Sequence, residues 1–100
     1  MSSNMLADKV VVVSGIGPGL GRSLALESAA AGASVVLAAR TESRLLEVAK
    51  EIDAAGGAPT LCVPTDITSD DDVRNLVART VDTFGKVDTL INNAFSVPSM

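Results

Sequence analysis

From Ser14 to Arg22 the chain reads Ser-Gly-Ile-Gly-Pro-Gly-Leu-Gly-Arg, with glycine at positions 15, 17, 19 and 21. Four valines, Val10 to Val13, run straight into this stretch, and Leu24-Ala25-Leu26 resumes apolar character beyond it. That order reads as strand, glycine turn, helix. Such a turn brings bare backbone N–H groups and the positive end of a helix to the end of a buried strand, a ready site for a phosphate. Gly15 lets the chain turn sharply out of the strand, Gly19 lets backbone approach a diphosphate, and Gly21 lets helix pack closely on sheet. A merely tight strand-to-helix turn accounts for one glycine and leaves the others unexplained. The chemistry expected is a cradle for the diphosphate of a dinucleotide, built by Ser14, Gly15, Gly17, Pro18, Gly19, Leu20 and Gly21.

The elements that must position this turn are legible along the whole chain. Residues 9–14 are a short, nearly continuous apolar run, the pattern of a parallel strand covered on both faces. A helix starting between Pro18 and Gly21 carries Leu20, Leu24, Ala25, Ser28 and Ala29 at helical spacing and closes at Ala31-Gly32-Ala33. Residues 34–39 are a second buried strand. Thr41 is placed to cap a second helix, whose stripe of Leu45, Leu46, Val48, Ala49 and Ile52 ends at Gly56-Gly57. A third strand over residues 60–64 has Pro64 at its end, where a missing N–H costs least. Thr68 or Ser69 then caps a third helix with Asp70, Asp71 and Asp72 in its first turn and a stripe of Val73, Leu76, Val77, Thr80, Val81 and Phe84, stopped by Gly85. Residues 87–92 make a fourth strand, left by a loop over 93–98.

Alternation of strand and helix with short links implies right-handed crossovers and an α/β, doubly wound parallel sheet of Rossmann type. Its expected form is four strands in the order 3-2-1-4 joined by three crossover helices. An edge as apolar as Leu90-Ile91 expects a neighbour. Residues 1–100 are therefore expected to be the N-terminal, cofactor-binding part of a single domain that continues past the fourth strand.

Composition narrows the function further. At 100 residues with 47% hydrophobic side chains, one packed core is expected. A net charge of −4 with scattered basic residues argues against nucleic acid. The opening Met1 to Lys9 lacks the basic start and apolar run of a signal peptide, and no segment is long enough to span a bilayer, so a cytoplasmic protein without a membrane partner is expected. The single Cys62 has no partner cysteine or histidine, and reads as a small core residue in a strand rather than a metal ligand. The chain has no Tyr and no His, which removes two common proton-transfer side chains.

The glycine spacing is not G-x-G-x-x-G but G-x-x-x-G-x-G, at Gly15, Gly19 and Gly21. With Ser14 before it, the stretch resembles the Thr-Gly-x-x-x-Gly-x-Gly pattern of the short-chain dehydrogenase/reductase family, serine keeping the hydroxyl. Three further landmarks agree in order and spacing: Ala39-Arg40 ending the second strand, Asp66-Ile67 after the third, and Asn92-Asn93-Ala94 after the fourth. The resemblance runs from about Lys9 onward.

This resemblance implies a nicotinamide dinucleotide. Arg40 stands where an acidic residue would accept from a ribose 2′-OH, and with Ala39 before it no carboxylate repels a 2′-phosphate. Its planar fork of donors can grip such a phosphate, which favours NADP(H), with NAD(H) the alternative. Pro18 occupies the position where the family often carries a basic residue, so the preference rests on Arg40, whose bland reading is a solvated surface side chain. By the same resemblance Asp66 accepts from the adenine amino group and the Ile67 amide meets a ring nitrogen, although an Asp there also suits a turn. Asn92 is expected to tie neighbouring strands beside the cofactor and Ala94 to leave room for the adenosine side, while Phe95 replaces the family's usual Gly. The family's catalytic Ser, Tyr-x-x-x-Lys pair and helix Asn lie downstream of the fourth strand, so no residue here is assigned a catalytic role and the 100 residues alone are expected to be inactive. The whole protein is expected to move hydride between nicotinamide and a small-molecule carbonyl or alcohol carbon, and to be a homo-oligomer. Two other readings stand beside this one. A Rossmann-like methyltransferase would use Gly15, Gly17 and Gly19 as G-x-G-x-G, with Arg40 against it; the other is a non-catalytic dinucleotide-binding module. A P-loop is disfavoured because no Lys-Ser/Thr pair follows the glycines.

Overall fold

β-Branched side chains favour extended backbone because two groups on Cβ restrict χ1 and pack well on a pleated surface. The computed structural model, which describes residues 4–15 and 20–92, accordingly places strand β1 at Val10–Ser14 with all five residues buried. After it come α1 (Leu20–Ala30), β2 (Ser34–Ala39), α2 (Glu42–Ala54), β3 (Thr60–Pro64), α3 (Asp70–Phe84) and β4 (Thr89–Asn92). The strands form one parallel sheet in the order β3-β2-β1-β4, the doubly wound order read from the sequence.

Strand periodicity then divides the core. Val11 and Val13 of β1, with Val35 and Leu37 of β2, face Ala25 and Ala29 of α1 and Leu45, Val48 and Ile52 of α2. Val10, Val12, Val36 and Ala38 point the other way, into a second cluster with Val63 of β3 and Leu76 of α3. Neither alternate set meets water, which is why the strands read as unbroken apolar runs. Each fully buried Val or Leu side chain contributes about 1.5–3 kcal/mol of transfer free energy.

The helix ends follow local rules in part. Ser69 caps α3, its Oγ accepting the Asp72 N–H at 3.2 Å, and three aspartates in the first turn complement the helix dipole. Gly85 ends α3 at φ 84°, a left-handed conformation that a side chain disfavours. Thr41 occupies the cap position of α2, yet its hydroxyl caps nothing.

Several expectations are corrected by packing. α3 rests on β2 and β3, so Leu76 and Thr80 are buried while Val77 and Val81 of the same stripe stay 47% and 45% exposed. Leu90 pairs with Val12 and so faces the α3 side of the sheet, where it remains 57% exposed. Leu46 lies outside the covered face of α2. Strand β4 begins at Thr89 rather than 87, with Val87 exposed. Cys62 is only half-buried because β3 is an edge strand; its thiol donates to the Leu45 carbonyl at 3.5 Å, and burial pushes its pKa up. Among the described residues, no helix is long and apolar enough to cross a membrane.

Candidate functional site

A parallel sheet gathers the carboxyl ends of its strands on one side, and ligands bind outside those ends where the strand order reverses. Here the reversal is at β1, with β2 on one flank and β4 on the other. Ser14, the last residue of β1, is buried and lies in register between Ala38 and Asn92. Gly15 then leaves the strand at φ 90°, its N–H bonded to the Ala38 carbonyl at 2.8 Å. Few residues other than glycine take that backbone angle. Leu20 opens α1, and Gly21 is buried in its first turn. Gly17, Pro18, Gly19 and Ala94 lie outside the described residues. Both ends of the glycine turn are thus placed at the carboxyl end of β1, with Asn92 ending the neighbouring strand.

The second group of candidate residues sits at the exits of β2 and β3. Ala39 pairs with Pro64, and the Thr65 N–H donates to the Ala39 carbonyl at 2.8 Å. Arg40 and Asp66, the residues that follow Ala39 and Thr65, therefore leave adjacent strands side by side. Arg40 is exposed and makes no ion pair with the described residues. The Asp66 carboxyl is held below the usual carboxylate range, chiefly by the Thr68 hydroxyl and then by the Thr68 backbone N–H; slight burial opposes them, and the Arg40 charge adds to them.

Asp66 is held in this loop through its backbone and its side chain. The Asp66 N–H donates to Asp72 Oδ2 at 2.8 Å, and the Ser69 N–H to the Asp66 carbonyl at 2.9 Å. Asp66 Oδ1 accepts from Thr68 N at 2.9 Å and from Thr68 Oγ1 at 2.6 Å. The groups without a partner among the described residues include the N–H of Ile67 and Oδ2 of Asp66. One donates and the other accepts, on consecutive residues. They can meet a ligand edge that offers an amino donor next to a ring acceptor.

The sequence points to Asp66 and Ile67, and to Thr68 only as a possible helix cap and Asp72 only as a dipole partner. The structure gives both a second task, holding Asp66. The available signal was the Asp-x-Thr spacing, which favours a local turn closed by the Asp side chain. Elsewhere, Arg22 grips Glu51 through two bonds, Nε to Oε2 at 2.8 Å and Nη2 to Oε1 at 2.5 Å, joining α1 to α2. That pair rims a cavity of about 540 Å³ floored by Leu26, Ala29 and Ile52, which none of Ser14, Arg40, Asp66 or Asn92 lines.

Comparison with known proteins agrees with this fold. Residues 9–97 match the sequence pattern of the short chain dehydrogenase family. The chain is 44% identical over 92 residues to 11-beta-hydroxysteroid dehydrogenase A of Sesamum indicum, covering 92% of this chain and 26% of that protein. It superposes on a hydroxysteroid dehydrogenase from Escherichia coli with a TM-score of 0.88 and 35% identity, over 96% of this chain and 41% of the other. A Caenorhabditis elegans short-chain dehydrogenase/reductase solved with cofactor matches at a TM-score of 0.80 and 31% identity, over 85% of this chain and 32% of that one. The chain spans about a quarter of the length of the sesame protein. Pattern, sheet order and relatives coincide over the same residues: the chain belongs to the short chain dehydrogenase family of oxidoreductases.

Proposed function

We propose that these 100 residues form the dinucleotide-binding part of an oxidoreductase that prefers NADP(H) to NAD(H). The observation that carries the preference is Arg40, exposed and without an ion pair among the described residues, at the end of β2 with alanine rather than a carboxylate before it. A guanidinium so placed offers several donors to a ribose 2′-phosphate. The uncapped start of α2 lies next in sequence, but Glu42 in its first turn offsets the helix dipole, so the arginine carries the recognition.

The remaining residues fit the rest of such a ligand. The turn from Gly15 to Leu20 is assigned to the diphosphate. Asp66 Oδ2 would accept from the adenine amino group while the Ile67 N–H meets the adjacent ring nitrogen. Asn92, ending β4 in register with Ser14, would stand beside the bound cofactor. When bound, the nicotinamide exchanges hydride with a carbonyl or alcohol carbon. The relatives are named for hydroxysteroids and, in one Caenorhabditis elegans structure, for glucose; from them we take only alcohol–carbonyl chemistry. The chain has no Tyr or His, so we assign its residues to binding and orientation and expect the acid/base group from outside them.

Calorimetric titration with NADPH and NADH tests the reading. Tighter binding of NADPH is expected. Equal affinities would remove the 2′-phosphate assignment, and no binding of either would remove the dinucleotide site.

A further inference from the structure

We infer that Thr68 is a positioning residue: by holding Oδ1 of Asp66 it presents Oδ2 outward and so sets selection for a purine bearing an amino group over one bearing a carbonyl. The inference rests on the dinucleotide reading above. A carboxylate has two equivalent oxygens and a broad terminal torsion, so an unrestrained Asp66 could turn either oxygen, at varying angles, toward a ligand. Thr68 removes that freedom with two donors on the same atom, N at 2.9 Å and Oγ1 at 2.6 Å. The backbone beneath is pinned separately. Asp72 Oδ2 holds the Asp66 N–H at 2.8 Å, and Ser69 Oγ in turn holds the Asp72 N–H at 3.2 Å. The Thr68 hydroxyl therefore bears on the carboxylate, while Asp72 and Ser69 bear on the chain that carries it.

The consequence is a two-point reader with fixed polarity. Oδ2 of an ionised carboxylate only accepts, and the Ile67 N–H only donates. An adenine edge presents an amino donor and a ring acceptor, matching both. Hypoxanthine presents a carbonyl oxygen and a ring N–H, so both contacts become like against like. The same two donors from Thr68 favour the ionised form of Asp66, which keeps the polarity unambiguous.

The experiment compares binding of NADP+ and its hypoxanthine analogue to the protein by calorimetry, in wild type, Thr68→Val and Thr68→Ser, with circular dichroism melts alongside. Wild type is expected to prefer the adenine form by about tenfold or more, as a hydrogen bond to a charged group warrants. Thr68→Val should shrink that preference several-fold, and Thr68→Ser, which keeps the hydroxyl, should restore it. A Thr68→Val protein that folds and retains the wild-type preference overturns the positioning role. Absence of any preference in wild type instead overturns the adenine assignment of Asp66, and the role of Thr68 with it. Should Thr68→Val fail to fold, Thr68→Ala makes the same comparison without the extra methyl.

Discussion

The Asp88 carboxylate accepts the backbone N–H of Val10 at 2.7 Å, while the Asp88 N–H donates to the Val10 carbonyl at 3.0 Å. Lys86 Nζ pairs with the same carboxylate oxygen at 3.1 Å. The clamp joins the amino end of β1 to the residue before β4 in the register that also sets Ser14 opposite Asn92 at the other end of the strands. Replacing Asp88 with alanine leaves the Val10 N–H without its carboxylate partner. Asp88→Ala is expected to lower Tm by several degrees and to speed hydrogen exchange at the Val10 amide, with Asp88→Asn intermediate because its amide oxygen can still accept. Unchanged exchange at Val10 would show that the clamp does not hold this edge.

The clamp also carries a pH signature. The Asp88 carboxyl lies below the usual carboxylate range, first because of the Val10 N–H and then because of Lys86, with burial opposing; Asp66 is lowered by Thr68. A carboxyl whose folded pKa is depressed stabilises the fold fully above its unfolded pKa, and that stabilisation is lost as pH falls through the folded value. Thermal stability is therefore expected to be level above about pH 5 and to fall below about pH 4. Asp88→Ala should fall less steeply than wild type in that acid range. Parallel curves would remove Asp88 from the account.

At the proposed cofactor site the decisive side chain is Arg40. A charge-assisted hydrogen bond contributes about 1.5–3 kcal/mol, so Arg40→Ala is expected to weaken NADPH binding by about tenfold to a hundredfold. NADH, which lacks the 2′-phosphate, should change little. Equal weakening of both would move Arg40 from recognition of the phosphate to general support of the loop.

Gly57 tests the packing behind the site rather than the site itself. A Cβ built there meets Ile52 Cγ2 at 2.6 Å and the Ile52 carbonyl at 3.1 Å, and Ile52 is fully buried. Neither neighbour can yield easily, since one is a methyl of a β-branched core residue and the other is backbone. Gly57→Ala is expected to cost about 1–3 kcal/mol by overpacking, read as a lower urea midpoint with little change in slope. No loss would mean that the link after α2 moves freely.

Much of the molecule is legible in the sequence. The valines before Gly15 announce a strand buried on both faces, because only such a strand can dispense with polar alternation. Gly15 announces the left-handed exit at φ 90°. Ser69 and the aspartates after it announce the start of α3. The strand order 3-2-1-4 is the one the doubly wound topology carries, and alternation of strand and helix with short links points to that topology. These are local or topological constraints, and the chain states them within a few residues.

Tertiary structure alone decided which partner each candidate residue meets. Asp66 read equally well as a turn residue and as a ligand residue; in the fold Oδ1 serves the turn and Oδ2 is left over. Thr41 and Ser69 look alike as caps, yet only the Ser69 hydroxyl bonds a helix N–H. The stripe of α3 gave no hint that Val77 and Val81 stay exposed, because coverage depends on where the helix lies across the sheet. Arg40 stands beside Asp66 because β2 and β3 pair at Ala39 and Pro64. The physical reason is common to all four: sequence records what a residue can donate, accept or bury, whereas register and packing bring the second group within reach.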